Sequence, residues 1–313
     1  MALTVTSAGT VQSILRRDYP VIMGTVLVFS GLLMAIAFET GLPSAARQEP
    51  AFTIHKVDGA HFAGTNGLTF MLVIGRDGRA GVGGNRGDAL HVIGVNPAQG
   101  RATMLDIPRD TWIDIPGHGR ERINAAFEFG GQELQTRTVS AFTGVPIAFS
   151  IVTNFDGLIG MVDDLGGVDV DVPQAMNDRF SGAVFPQGRV HMNGGQALAF
   201  SRNRHLGDGD LTRTYDQGVL ILSALAKFRA QPGAVNVVRS LEVLLRRCQA
   251  EGVSPRDLFR LGRLALSVDP ANVRNVVMPA RLGQVGPASV VFPGPGADSL
   301  FADFRDDAIL QTH

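Results

Sequence analysis

Apolar residues along this chain fall into two patterns, which are short runs typical of strands and longer stretches with helical spacing. The short runs, bounded by Gly, Pro, Asn or Asp, predict strands over 69–74, 89–95, 103–107, 148–152, 168–172 and 273–278. Helical spacing predicts helices over 133–142, 155–165, 210–229, 237–248 and 255–267. Residues 283–296, rich in Gly and Pro, predict an irregular connection before a short last helix. This order of elements favours an α/β fold with a mixed central sheet flanked by helices.

The N-terminal region departs from this pattern. Residues 19–38 carry no charge and are long enough to cross a bilayer as a helix. Arg16 and Arg17 precede this span, which predicts that the N-terminus stays inside and that the rest of the chain is extracytoplasmic. A cleaved signal peptide is the alternative to this single-pass anchor in the cell membrane, because residues 43–46 resemble a small-residue cleavage site.

The predicted domain organisation follows from the anchor and from the order of the elements. We expect the core of a catalytic domain over 67–230, completed by helices and a strand within 231–313. The segments before it are a cytoplasmic tail over 1–18, a transmembrane anchor over 19–38 and a linker over 39–66.

Composition narrows the classes of partner. The formal net charge is −1, so no overall field draws the chain to nucleic acid, which we exclude as a partner. Of the 28 basic residues only Lys56 and Lys227 are lysines, and the planar guanidinium group of arginine binds phosphate oxygens in pairs. Cys248 is the single cysteine, which excludes an intramolecular disulfide and a thiolate metal site.

Charged side chains collect at the ends of the predicted strands and at the start of one helix. Such side chains can converge on one edge of an α/β sheet, where ligands bind. Two carboxylates at neighbouring strand ends could share Mg²⁺ (with Mn²⁺ as a possible substitute), and arginines around them could bind a pyrophosphate. The candidates are Asp77, Arg79, Arg86, Asp88, Arg109, Asp110, Arg202, Arg204, Arg213 and Gln217.

The geometry expected of the later candidates depends on the local backbone. Arg202 and Arg204 would point the same way on an extended chain, and Arg213 and Gln217 share one face of the predicted helix over 210–229. Each candidate alone also fits a cap, a turn former or a surface ion pair. The number of such residues and their order favour the pyrophosphate site.

Several ordered motifs resemble the LytR–CpsA–Psr family of cell-wall glycopolymer ligases. The resemblance extends from about residue 69 to residue 229, roughly half of the chain. The matching segments are GRDGR at 75–79, RGDAL at 86–90, IPRDT at 107–111, RINAAF at 122–127, DLGGVDV at 164–170, GGQALAFSRNR at 194–204, and DGDLTR at 208–213 with Gln217.

The resemblance implies an α/β fold with an apolar cleft for a polyprenyl chain. It also implies transfer of a glycopolymer from a polyprenyl-pyrophosphate donor to a peptidoglycan acceptor, with release of polyprenyl phosphate. Asp77 and Asp88 would hold Mg²⁺. Asp110 would position or deprotonate the acceptor hydroxyl, unless it only pairs with an arginine. The pyrophosphate would contact Arg79, Arg86, Arg109, Arg202, Arg204, Arg213 and Gln217, and among these Arg86, Arg109, Arg202 and Arg204 would act in catalysis together with Asp110.

Three other functions stay open on the sequence alone. The same metal and arginine site could hydrolyse a lipid pyrophosphate, because both reactions use the same donor. A lipid carrier would keep the cleft without needing the carboxylates. A non-enzymatic envelope regulator that reads DNA is disfavoured, because the predicted cytoplasmic tail of about 18 residues is short and holds only Arg16 and Arg17 as basic residues.

Overall fold

The computed structural model describes residues 50, 52–58, 67–77, 85–230 and 248–311. Nearly all of these belong to one compact unit made of Pro50–Lys227 and Arg247–His313. A second unit, Met1–Glu49 with Phe228–Arg246, falls almost entirely outside the described residues, as does the predicted anchor over 19–38. Within the described ranges, no helix combines the length and the apolar character needed to cross a membrane.

Six strands precede the first helix of the described chain, and strands and helices are mixed after it. The strands are β1 (Phe52–Lys56), β2 (Thr69–Arg76), β3 (Gly87–Asn96), β4 (Arg101–Asp106), β5 (Trp112–Ile115), β6 (Gly119–Arg122), β7 (Ile147–Asn154), β8 (Val168–Val172), β9 (Met176–Asp178), β10 (Ala183–Phe185), β11 (Gly188–Met192), β12 (Cys248–Glu251), β13 (Val273–Val277), β14 (Ala280–Val285) and β15 (Ala288–Pro293). The α-helices are α1 (Ala125–Thr143), α2 (Phe155–Asp164), α3 (Gly194–Arg202), α4 (Asp210–Arg229), α5 (Pro255–Ser267) and α6 (Ala297–Asp307), and Pro270–Asn272 form a 3₁₀ turn.

Seven of the described strands form one mixed sheet in the order β12-β1-β7-β2-β3-β4-β13. The pairs β2–β7, β4–β13 and β1–β12 are parallel, whereas β2–β3, β3–β4 and β1–β7 are antiparallel. The carboxyl ends of β2, β4, β7 and β13 therefore meet the amino end of β3 at one edge. Most of the predicted site residues within the described chain lie at this edge, either just after β2 or β4 or at the start of β3.

Apolar side chains on both faces of the sheet bury it between helices. On one face, Leu72, Leu90 and Leu105 pack with residues of α1 and α6. On the other face, a smaller cluster joins Ile93 to Leu264 of α5. The packing of α6 on the sheet requires a glycine at position 94 of β3, because a Cβ there would lie 2.7 Å from the Phe304 ring of α6. The mixed sheet flanked by helices confirms the predicted fold class.

One sequence-based assignment is wrong, one lies mostly outside the described residues, and strand β1 was not predicted. Residues 283–296 were predicted to be irregular, yet most of them lie in the β14–β15 hairpin, where Gly283 leaves space for the Phe292 ring, 2.6 Å from where a Cβ would stand. The predicted helix over 237–248 lies mostly outside the described residues, and Cys248 begins a strand instead. The predicted linker over 39–66 contains β1, a strand of the main sheet.

Candidate active site

Arg109 is the centre of the candidate site at the carboxyl edge of the sheet. The segment 107–109 continues from β4, and Arg109 Nη1 donates a hydrogen bond of 2.5 Å to Asp88 Oδ1, at the start of β3. Arg109 Nε also lies 3.8 Å from Asp110 Oδ2 and 3.7 Å from Asp210 Oδ1. Burial lowers the pKa of Arg109, but the three carboxylates outweigh burial and raise that pKa above its ordinary value. One guanidinium therefore organises carboxylates from three separate segments.

The first turn of α4 brings a second arginine to the same place. Arg213 Nη2 lies 2.5 Å from Asp210 Oδ1, and the Arg213 side chain is only 4% exposed. Burial lowers the pKa of Arg213 to about 10, and the positive charges of Arg109 and Arg204 act in the same direction, while Asp210 opposes them. Arg213 is therefore a desolvated cation held next to other cations, an arrangement that gains stability when an anion binds.

Several buried polar atoms of this cluster have no hydrogen-bond partner among the described residues. They include Arg109 Nε, Arg213 Nε and Nη2, and both carboxylate oxygens of Asp210. Arg213 and Asp210 are close enough for an ion pair, but their relative orientation does not form a hydrogen bond. Buried donors are normally satisfied, and an unsatisfied one costs about 1–3 kcal/mol. These arginines are therefore available to a ligand rich in acceptor oxygens.

Arg204 belongs to the same electrostatic cluster. Burial lowers the pKa of Arg204, and Arg109 lowers it further, while Asp210, Asp110 and Asp88 oppose the shift. The extended chain that would make Arg202 and Arg204 point the same way is not present at Arg202, because Arg202 is the last residue of α3 and Arg204 follows the helix.

Three other predicted residues, Arg202, Arg86 and Gln217, have partners outside this cluster. Arg202 lies over the Phe155 ring, 5.3 Å from its centroid, at the carboxyl end of β7. Arg86 pairs with Glu128 at 2.8 Å. Gln217 donates a hydrogen bond of 3.0 Å to the Ser201 carbonyl and so ties α4 to α3.

Asp110 faces two arginines. Arg109 lies 3.8 Å from its Oδ2, and Arg122 of β6 lies 3.6 Å from its Oδ1. Burial nevertheless raises the pKa of Asp110 above the ordinary value, and the negative charge of Asp210 contributes to the rise. A partly desolvated carboxylate of this kind is a better proton acceptor than an ordinary aspartate.

Asp210, Arg122 and Glu128 contact members of the site but are not among the residues predicted for it. In the sequence, Asp210 is noted only within the matching segment DGDLTR, whereas the structure makes it the first residue of α4 and places it against Arg109 and Arg213. Its spacing of three residues from Arg213 was the available signal. Glu128 gave no such signal, because the sequence separates it from Arg86 by 42 positions.

Comparison with known families identifies the chain. The LytR_cpsA_psr family matches residues 39–298, which is most of the sequence. The chain belongs to the LytR_cpsA_psr family.

The LytR_cpsA_psr relatives with curated names are cell-wall proteins. The chain is 32% identical over 263 residues to "Probable cell wall biosynthesis protein LcpB" of Corynebacterium glutamicum, covering 79% of this chain and 62% of the relative. It is 41% identical over 135 residues to "Polyisoprenyl-teichoic acid--peptidoglycan teichoic acid transferase TagU" of Bacillus mycoides, covering 43% of each protein. The matches therefore span less than two thirds of the length of these relatives.

Solved LytR_cpsA_psr-type structures share the fold. B. subtilis TagV superposes with a TM-score of 0.67 at 23% identity, over 79% of this chain and 99% of TagV. The structure titled "TagT bound to LI-WTA" superposes with a TM-score of 0.63 at 20% identity, over 86% of this chain and 99% of TagT.

Two carboxylates of this LytR_cpsA_psr domain lie at neighbouring strand ends. Asp77 directly follows β2, Asp88 is the second residue of β3, and the pairing of Arg76 with Gly87 puts the two aspartates at adjacent strand ends. Among the described residues, no group of three or more His, Cys, Asp or Glu side chains is placed so that it could hold a metal ion. Mg²⁺ commonly uses one or two carboxylates with phosphate oxygens and water, so this pair fits an ion that arrives with a phosphate ligand. Arg79 lies outside the described residues.

Proposed function

We propose that this protein is a phosphotransferase that moves a glycopolymer from a polyprenyl-pyrophosphate donor to a peptidoglycan hydroxyl and releases polyprenyl phosphate. The domain would act outside the cytoplasmic membrane, tethered by the uncharged segment over 19–38. The names of LcpB and TagU support the assignment to cell-wall assembly.

The observation that carries the proposal is the set of unsatisfied arginine donors. Arg109 and Arg213 are largely buried, their Nε atoms have no acceptor among the described residues, and Arg204 shares their electrostatic environment. A pyrophosphate supplies several anionic oxygens within a few ångströms, which matches such a cluster better than a single carboxylate would. Three carboxylates, Asp88, Asp110 and Asp210, lie beside these arginines. The site therefore also suits an anionic ligand that binds together with a cation.

The residues suggest a direct displacement. The acceptor hydroxyl oxygen would attack the phosphorus that carries the glycan, and the bond from that phosphorus to the bridging oxygen would break. Polyprenyl phosphate would leave with the bonding electrons. Arg109, Arg204 and Arg213 would stabilise the charge that develops on the phosphoryl oxygens, and Asp110 would accept the hydroxyl proton.

Asp77 and Asp88 would hold Mg²⁺, or Mn²⁺ in its place, against the same pyrophosphate. The ion would neutralise charge on the diphosphate when bound. Arg109 already bonds to Asp88, so the guanidinium orients one of the two carboxylates. Arg86 and Arg202 would also contact the donor pyrophosphate. Gln217 would hold α4 against α3 through its hydrogen bond to the Ser201 carbonyl.

Mass spectrometry of lipids that copurify with the full chain in detergent tests the donor class. We expect a polyprenyl phosphate or pyrophosphate in the wild type and a depleted signal in Arg213→Gln, which keeps much of the side-chain volume without the charge. A matched surface variant, Arg120→Gln, should retain the lipid, because Arg120 is 64% exposed and pairs only with Asp114 among the described residues. Equal recovery of the lipid from all three proteins would refute a role of the arginine cluster in holding the donor.

A further inference from the structure

Phe180 is the most exposed large hydrophobic side chain of the described residues. It lies in the turn between β9 and β10 and is 89% exposed. Its ring stacks on the imidazole of His205, with ring centroids 5.4 Å apart and an angle of 25° between the planes. One face of the Phe180 ring is therefore supported from within the protein, and its other face is open to solvent. We refer to Phe180 and His205 together as the stacking platform.

Asp178 holds both halves of the stacking platform in place. It is only 4% exposed, and it accepts hydrogen bonds from the Phe180 backbone N–H at 2.9 Å and from the Ser181 hydroxyl at 2.6 Å. The same carboxylate lies 3.1 Å from His205 Nδ1. The Ser181 hydroxyl makes the largest contribution to lowering the pKa of Asp178 to about 2, so Asp178 stays ionised at neutral pH. An exposed aromatic ring anchored this way loses little freedom when a ligand binds it.

The stacking platform is continuous with the candidate active site. His205 directly follows Arg204, a member of the arginine cluster. The hairpin that carries Phe180 packs on α3, where a Cβ on Gly182 would lie 3.9 Å from Ala199 and the Phe185 ring meets Phe200 edge to face. The helix that leads to Arg202 and Arg204 thus fixes the platform beside the cluster.

We infer that the stacking platform binds the sugar ring attached to the pyrophosphate of the donor. This inference rests on the proposed function. A pyranose has an apolar C–H face, which suits an aromatic ring with one face open to solvent. The donor is favoured over the acceptor because its first sugar is covalently linked to the group that Arg204 would contact. A single ring is also far smaller than the surface that a stable protein partner would cover.

Two lipid probes that differ only in the sugar test this inference. Binding of farnesyl pyrophosphate and of farnesyl-pyrophosphoryl-N-acetylglucosamine would be measured by calorimetry on the full chain in detergent micelles with Mg²⁺. Phe180→Ala should weaken binding of the sugar-bearing probe about fivefold, the effect of losing one stacked ring, and should leave farnesyl pyrophosphate unchanged. Phe180→Trp should restore the lost affinity. Leu282→Ala, which removes another exposed apolar side chain on β14, should bind both probes like the wild type.

The other outcomes each overturn the inference. Equal weakening for both probes would assign Phe180 to the phosphate or lipid part of the donor. An unchanged affinity for both probes with a raised KM for peptidoglycan fragments would assign the platform to the acceptor. Weaker cosedimentation with phosphatidylglycerol vesicles alone would assign Phe180 to the membrane surface. Failure of the wild type to bind either probe would reject the proposed function itself, and so differs from loss of the sugar preference.

Discussion

Replacing Arg109 by Lys or Ala tests the centre of the site most sharply. The Arg109 side chain is 17% exposed and contacts Asp88, Asp110 and Asp210, so it is not the surface ion pair that the sequence left open. Lys can keep one charge near Asp88, but it cannot reproduce the fork that reaches Asp88 through Nη1 and the other two carboxylates through Nε. Ala leaves all three carboxylates without this cation.

The expected magnitudes follow from these contacts. Removing one partner of a fully buried ion pair costs about 3–5 kcal/mol, and an exposed pair contributes at most about 1 kcal/mol. The three carboxylates around Arg109 are 15% to 26% exposed, so we expect Arg109→Ala to lose about 1–3 kcal/mol of unfolding free energy. A charge-assisted hydrogen bond to the donor contributes about 1.5–3 kcal/mol, which corresponds to about tenfold to a hundredfold in donor Kd for either variant.

Two measurements on each variant separate stability from binding. Denaturant unfolding gives the free energy of unfolding, and titration with farnesyl pyrophosphate gives the donor Kd. Arg120→Lys is the matched control. Arg120 and Asp114 form an exposed ion pair, with 3.7 Å between Arg120 Nε and Asp114 Oδ2, and neither belongs to the cluster. If Arg109→Lys binds donor as tightly as Arg120→Lys does, Arg109 does not contact the pyrophosphate.

Three further predictions concern the metal, a buried carboxylate and the topology. Asp77→Asn and Asp88→Asn should each abolish Mg²⁺-stimulated turnover while Asp114→Asn does not, and a normal Mg²⁺ response in both site variants would reject the metal assignment. Burial raises the pKa of Asp216 from 3.8 to about 7, so its charge destabilises the fold increasingly as pH rises between these values. Unfolding across pH should show Asp216→Asn gaining up to about 3 kcal/mol on the wild type between pH 4 and pH 7, with the gain levelling off about one pH unit higher, and a pH-independent difference would contradict this. A reporter fused after Gln48 should be active only if it is an exported type, and activity of a cytoplasm-dependent reporter alone would reverse the proposed topology.

The sequence predicted the elements that have a strong periodic pattern. The apolar runs of β2, β3, β4 and β7 predicted the centre of the sheet, and the family resemblance listed most of the residues at its carboxyl edge. β1 was missed because only Phe52 and Ile54 of its five residues are apolar, whereas the equally short β8 contains three valines. Gly283 suggested a loop because its packing against Phe292 is visible only once the hairpin is formed.

The site required contacts that no local pattern contains. Sequence spacing related Asp77 to Asp88 and Arg213 to Gln217, but the carboxylates around Arg109 come from β3, from the residue after Arg109 and from α4. Arg86 and Glu128 meet because the start of β3 lies against the start of α1, where the Gly87 N–H donates a hydrogen bond to the Asn124 carbonyl. These associations depend on tertiary packing and not on local preference.

Transfer with a defined donor and acceptor tests the central claim most directly. The purified full chain would be incubated with Mg²⁺ and a polyprenyl-pyrophosphate-linked glycan, with and without peptidoglycan, and the products would be analysed by mass spectrometry. We expect a glycan joined to peptidoglycan through one phosphate, equimolar polyprenyl phosphate, and almost no turnover without the acceptor. Release of a free glycan phosphate at the same rate in both reactions would show that the protein is a hydrolase and would contradict the proposed transfer.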